Sequence, residues 1–145
     1  MKRNISKFTN REETINHLKI CIEIERHLIK KYNLIPHREW FIILDNEDHF
    51  IGTPKHEITL AQKNRKERYR NPDLLWHDGK QLHILEVDGW VHYLKSEKTE
   101  KRNKIYKNND CKFIVIETFE LNEKGKVIDK PIENIIKELD ERIER

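Results

Sequence analysis

The stretch that decides the fold covers residues 71–92 and reads NPDLLWHDGKQLHILEVDGWVH. Its centre contains Asp78-Gly79, a dipeptide typical of the tight turn that joins two antiparallel strands. On either side of this turn, residues 73–76 and 81–87 are apolar enough to form a pair of strands. The sequence therefore predicts a β-hairpin here.

Acidic side chains stand at the ends of both predicted strands. Asp73 begins the first strand, and Glu86 and Asp88 end the second. Residues two apart on a strand point to the same face, so Glu86 and Asp88 project together. Three converging carboxylates repel one another and lose hydration unless a cation compensates their charge. Mg²⁺ prefers such oxygen ligands, so these three residues predict a magnesium site, at which Mn²⁺ would substitute.

A histidine follows the second strand closely enough to reach the same pocket. His92 lies four residues past Asp88, beyond Gly89, where the chain can turn back. Its ordinary pKa of about 6.5 suits proton transfer, and we expect it to act as a general acid or base. In the alternative interpretation, Asp88-Gly89 is an ordinary strand-ending turn and the carboxylates are structural.

Three helices are predicted around the hairpin. Helical spacing of apolar residues predicts a first helix that is capped by Thr9 or Asn10 and ends near Asn33. Residues 96–109 predict a charged helix. Pro131 at the first helical position opens the last one.

Two further strands complete the predicted sheet. Residues 40–44 and 111–117 are apolar runs of strand length, whereas residues 49–71 predict a polar, basic insertion or loop with a possible short helix from Glu57. The resulting order of elements predicts a mixed α/β layer fold with a central sheet. A length of 145 residues predicts a single domain over 1–145.

Positive charge is concentrated in the middle of the chain. Residues 61–70 carry five bases against one acid, and residues 95–112 carry seven against three. This distribution suits a phosphate-rich partner, although Lys-rich helices can also simply solvate a surface. The candidate phosphate contacts are Lys63, Arg65, Lys66, Arg68, Arg70, Lys98, Lys101 and Arg102.

Several classes of protein are excluded. Apolar runs such as residues 41–44 and 113–116 are far shorter than the roughly 18 residues of a membrane span. The charged N-terminus is followed by no apolar stretch, which argues against a secretory signal. Two cysteines, Cys21 and Cys111, cannot form a disulfide framework and argue against a four-ligand zinc site. The sequence thus predicts a soluble cytoplasmic protein.

The motif as a whole resembles that of a known superfamily. Pro72-Asp73, twelve intervening residues and Glu86-x-Asp88 are similar to the PD-(D/E)XK nuclease motif. More narrowly, the spacing from Glu86 to His92, followed by a charged helix and an apolar strand, resembles the very-short-patch-repair-like endonucleases. The resemblance covers residues 71–117, the motif-bearing core. It implies a restriction-endonuclease-like fold, with a mixed sheet of about four strands flanked by helices.

The resemblance also implies metal-dependent cleavage of phosphodiester bonds in DNA. Asp73 and Glu86 would hold the metal with the Val87 carbonyl, and Asp88 would bind a second metal or orient water. The superfamily's lysine two residues after Glu86 is replaced by Asp88. The candidates to take over its role are His92, Lys95, Lys98 and Lys101.

Other points stay open. The superfamily often has a further acid on its first helix, for which Glu25 is slightly preferred over Glu12, Glu13 and Glu23. The remaining histidines show no obvious metal-ligand spacing. The expected partner is DNA or, alternatively, RNA, and cutting both strands would favour a homodimer. The rival functions are an inactive nucleic-acid-binding module and a partner-binding subunit of a defence or mobile-element complex.

Overall fold

The elements of the fold are taken from a computed structural model, which describes residues 2–38, 40–44, 50–54, 69–90, 96–107 and 111–145. In chain order they are α1 (Lys2–Tyr32), β1 (Trp40–Leu44), β2 (Phe50–Pro54), β3 (Tyr69–Arg70), β4 (Leu74–His77), β5 (Leu82–Asp88), α2 (Ser96–Lys107), β6 (Cys111–Glu117), β7 (Phe119–Leu121), β8 (Val127–Asp129) and α3 (Ile132–Ile143).

A mixed sheet of strand order β4-β5-β6 carries the motif region. The predicted hairpin is confirmed, since β4 and β5 pair antiparallel with Leu74 opposite Leu85. At its turn, Gly79 has a φ of 92°, a left-handed conformation that glycine adopts at little cost. Strand β6 runs parallel to β5. Parallel neighbours need a crossover, and the chain between them contains α2.

Both faces of this sheet are covered, because side chains of β5 alternate between two cores. Leu85 and Val87 belong to a cluster that α1 and α3 complete. Ile84 belongs to a second cluster, to which β1 contributes Ile42 and α2 contributes Tyr106. Alternation along the strand therefore directs Glu86 and Asp88 to the side of α2.

The remaining strands differ from the prediction in two ways: part of the predicted loop is a strand, and the number of strands is larger. Residues 50–54 of the predicted insertion form β2, which pairs antiparallel with all five residues of β1, while β3 pairs with its other edge. Strands β7 and β8 form a hairpin that the sequence analysis did not predict. Instead of one sheet of about four strands, the described residues form two three-stranded sheets and this hairpin. The possible helix from Glu57 lies outside the described residues.

Helix boundaries differ from the prediction at the N-terminal side. The first helix begins at Lys2, so the prediction that Thr9 or Asn10 caps it is wrong. No glycine or proline interrupts the preceding residues, and potential caps inside such a run do not stop a helix. Its end agrees with the prediction, since Asn33 has a φ of 54° and donates its N–H to the Ile29 carbonyl at 3.1 Å.

The last helix also begins one residue later than predicted, because Pro131 is its N-cap and α3 starts at Ile132. None of the helices in the described ranges combines the length and apolar character that a membrane span requires.

Asp140 of α3 joins this helix to α1 through three side chains. Its carboxylate lies 2.7 Å from Nε2 of His27, 2.8 Å from the hydroxyl of Tyr32 and 3.0 Å from Nζ of Lys31. Burial alone would raise the pKa of Asp140, but the hydrogen bonds from His27, Lys31 and Tyr32 outweigh it and lower the pKa to about 2.

We expect Asp140→Ala to lower the free energy of unfolding by about 1.5–3 kcal/mol at pH 7, as loss of hydrogen bonds to a charged group does. Because the pKa of Asp140 is lower in the folded protein, its ionised carboxylate stabilises the fold at pH values above the unfolded pKa of about 3.9. This stabilisation is lost as the pH falls through the folded pKa of about 2. Denaturant titrations of wild type and variant should therefore converge in acid. Glu141→Ala, at an exposed neighbour, is the control; equal stability of both variants at pH 7 would contradict this role.

Candidate active site

The three predicted carboxylates lie at one end of the mixed sheet. Glu86 and Asp88 are at the carboxyl end of β5, beside the end of β6. Asp73 directly precedes β4, whose first residue, Leu74, pairs with Leu85, the neighbour of Glu86. The charge of Asp73 is close enough to Glu86 to raise the pKa of that carboxyl. The hairpin thus brings the two strand ends, and their acids, to the same place.

Asp73 is anchored to the backbone of β5. Its Oδ2 accepts a 2.7 Å hydrogen bond from the N–H of Val87. Its Oδ1 lies 3.1 Å from Nε2 of His17, on α1. The same nitrogen lies 3.1 Å from the carbonyl oxygen of Val87. Asp73 Oδ1 and the Val87 carbonyl, both predicted ligands of a metal, therefore face a common third group.

Glu86 is a buried carboxylate beside other acids. Only 5% of its surface is exposed. The hydroxyl of Tyr106 donates to its Oε1 at 3.0 Å, and Arg102 approaches Oε2 at 3.4 Å. Burial, followed by the charge of Asp73, raises the pKa of Glu86 to about 8, against the opposing effects of Arg102 and the Tyr106 hydrogen bond. The protonated form of Glu86 is therefore favoured at neutral pH.

Asp88 is held by an arginine of α2. The guanidinium of Arg102 donates to its two oxygens at 3.1 and 2.8 Å, a bidentate arrangement. Arg102 was predicted to contact phosphate, but its side chain points to Asp88 and Glu86. The other two predicted contacts on this helix, Lys98 and Lys101, are exposed.

Several predicted site residues lie outside the part of the chain that the structure describes. They are His92, Lys95, Lys63, Arg65, Lys66 and Arg68. The backbone of Arg70 belongs to β3, where it pairs with Ile42. The roles assigned to these residues stay predictions.

The two acids of α1 whose side chains the structure describes pair with bases and not with the carboxylates of the site. Glu25, the slightly preferred candidate, forms an ion pair with Arg38, and Glu23 contacts Arg26. The side chains of Glu12 and Glu13 lie outside the described residues. Instead, the helix contributes a histidine that the sequence analysis did not select.

His17 and Cys21 extend the buried seam of α1 toward Asp73. They precede Ile24 and Leu28 at helical spacing, and all three of Cys21, Ile24 and Leu28 are buried. Hydrogen bonding to Asp73, and then to Cys21, raises the pKa of His17 to about 11. A histidine in register with an apolar helical seam was the signal that could have found it.

Comparisons of the chain with protein families, curated proteins and solved structures found no match.

Proposed function

We propose that the protein is a metal-dependent endonuclease that hydrolyses phosphodiester bonds in DNA, with a restriction-endonuclease-like fold. The observation that carries this proposal is the buried carboxylate of Glu86 at the strand end it shares with Asp73 and Asp88. Crowding ionised acids in a buried place is costly unless a cation compensates them. Among the described residues, Arg102 pairs with Asp88 and approaches Glu86, and His17 contacts Asp73. A divalent ion would take the place of the His17 proton beside Asp73 and would allow Glu86 to ionise.

The donor set fits Mg²⁺ or Mn²⁺. Carboxylate and carbonyl oxygens are the ligands these hard ions prefer, and Asp73, Glu86 and the Val87 carbonyl would provide them. When bound, such an ion lowers the pKa of its water and polarises a phosphoryl oxygen. The contact of His17 with both Asp73 and the Val87 carbonyl supports this assignment, because it shows that the two oxygens can share one cationic partner.

The other residues of the site would act on substrate and protons. Arg102, oriented by Asp88, takes the part of the missing lysine as the fixed positive charge of the motif. His92 would transfer a proton as general acid or base. The Val87 N–H holds one oxygen of Asp73, and the other, which contacts His17, would bind the ion.

A second candidate is a nucleic-acid-binding module that has the fold but does not cleave. One observation favours it: Arg102 already neutralises Asp88 and approaches Glu86, so part of the carboxylate charge is compensated without metal. The absence of the motif lysine points the same way. A partner-binding role would instead predict no salt-dependent affinity for nucleic acid.

Plasmid cleavage separates these functions. Supercoiled DNA incubated with the protein and Mg²⁺ or Mn²⁺ should be nicked or linearised, and chelation should stop the reaction. Single-stranded DNA and RNA are the parallel substrates. Binding without cleavage under all of these conditions would support the inactive module. The Glu86→Gln variant, purified in the same way, is the control for a contaminating nuclease.

The basic run of residues 63–70 should contribute to affinity. Replacing its five bases by Gln removes up to five phosphate contacts, and each lost contact should reduce the salt slope of duplex binding by roughly 0.9. Fluorescence anisotropy at several salt concentrations measures that slope. A triple Gln variant of the exposed Lys124, Lys126 and Lys137 is the control. An unchanged slope in the first variant would mean that the run only solvates a surface.

A further inference from the structure

We propose a second metal site, for a thiophilic divalent ion such as Zn²⁺, formed by His17 and Cys21 of α1 with Asp73 at the start of the hairpin. One ligand atom from each residue lies within 4.8 Å of the other two. An imidazole nitrogen, a thiolate sulfur and a carboxylate oxygen form the mixed donor set that zinc accepts and that Mg²⁺ does not favour.

The three ligand atoms lie close together without yet having the arrangement of ligands around a tetrahedral ion. His17 Nε2 is 3.1 Å from Asp73 Oδ1 and 3.8 Å from Cys21 Sγ. With metal–ligand bonds of about 2.0–2.3 Å, neighbouring ligands around a tetrahedral zinc are about 3.3–3.6 Å apart. The His17–Asp73 pair is close to this spacing. Cys21 Sγ lies at nearly equal distances from Nε2 and Nδ1 of His17, 3.8 and 3.9 Å, so the side chains of His17 and Cys21 would have to rotate for Nε2 and the thiolate to bind one ion.

The local fold explains why the three residues meet. His17 and Cys21 are four residues apart on α1, so they share one face of the helix. Cys21 is 3% exposed within the core, whereas 38% of the His17 side chain is exposed and can admit an ion from solvent. The Val87 N–H already orients Asp73 through Oδ2, which leaves Oδ1 directed toward α1.

Three protein ligands leave the fourth position to water or to the Val87 carbonyl, which lies 3.1 Å from His17 Nε2. Binding would release the thiol proton of Cys21 and the proton on Nε2 of His17 to solvent. Asp73 belongs to both this site and the proposed magnesium site. If the proposed function holds, occupation by zinc would therefore leave the magnesium ion one ligand short.

Cobalt provides a direct test that does not depend on nuclease activity. Co²⁺ bound through a thiolate gives a ligand-to-metal absorption band in the near ultraviolet and visible bands typical of tetrahedral coordination. Wild-type protein titrated with Co²⁺ should develop these bands, and added Zn²⁺ should remove them. Cys111→Ser should behave like wild type, because Cys111 begins β6 away from this cluster.

Cys21→Ser should abolish the thiolate band. His17→Gln leaves the thiol in the core and should weaken Co²⁺ binding by at least about tenfold. Loss of a residue that only supports a ligand already weakens metal binding by about 10–100-fold, and His17 would be a ligand itself. Melting curves without metal verify that both variants fold. Absence of the band in wild type, or its loss only in Cys111→Ser, would overturn the proposal. Glu86→Gln should keep the band even if cleavage is lost, so the two proposals fail separately.

Discussion

Asp73→Asn is expected to abolish DNA cleavage and most of the stabilisation of the protein by Mg²⁺. At a Mg²⁺ concentration of 100 times its Kd, binding stabilises the folded state by about 2.7 kcal/mol. For a domain of this size, that corresponds to a rise in melting temperature of roughly 5–11 °C. An amide has nearly the shape of the carboxylate and can still accept the Val87 N–H, but it lacks the charge that holds the ion.

The matched control for this substitution is Asp129→Asn, at an exposed position of β8. It removes the same charge from the protein and should leave both the metal-dependent shift and cleavage unchanged. Thermal melts with and without Mg²⁺ and a plasmid assay measure the two effects. A normal metal response in Asp73→Asn would remove this residue from the site.

Arg102→Met is expected to lower the free energy of unfolding by about 3–5 kcal/mol, the usual effect of removing one partner of a buried ion pair. Asp88 is 3% exposed and Glu86 is 5% exposed, so neither can replace the lost guanidinium with full hydration. Urea titrations at neutral pH measure this loss. Lys101→Met, at the exposed neighbouring position, should cost far less.

A double variant distinguishes loss of the ion pair from loss of packing. Adding Asp88→Asn to Arg102→Met removes the charge that the single variant leaves unpaired, so part of the lost stability should return. The coupling between the two positions gives the interaction directly. Additive effects, or a cost for Arg102→Met similar to that for Lys101→Met, would contradict the geometry of this pair.

The sequence was most informative where local rules decide the structure. Asp78-Gly79 marked the turn, and the alternation from Leu82 to Asp88 gave the second strand of the hairpin. From these two features it followed that Asp73 would meet Glu86 at one strand end. The apolar run of residues 111–117 likewise indicated the strand now observed as β6.

Features that depend on distant packing escaped the sequence analysis. Contact of His17 with Asp73 requires α1 to lie across the end of β5, a placement that no local pattern specifies. Arg102 was assigned to phosphate by its charge, whereas the position of α2 beside β5 directs it to Asp88. Strand β2 contains a glycine and a proline, which favoured the prediction of a loop. It is extended because it pairs with β1.

A crystal structure with Mn²⁺ tests the central proposal most directly, because anomalous scattering identifies the ion and its ligands together. The crystals would be grown from wild-type protein and soaked at saturating Mn²⁺. The proposal predicts an anomalous peak coordinated by oxygens of Asp73 and Glu86, with Asp88 still held by Arg102. The proposal would be contradicted by a structure at saturating Mn²⁺ in which neither Asp73 nor Glu86 binds an ion and Arg102 keeps its contacts to Glu86 and Asp88.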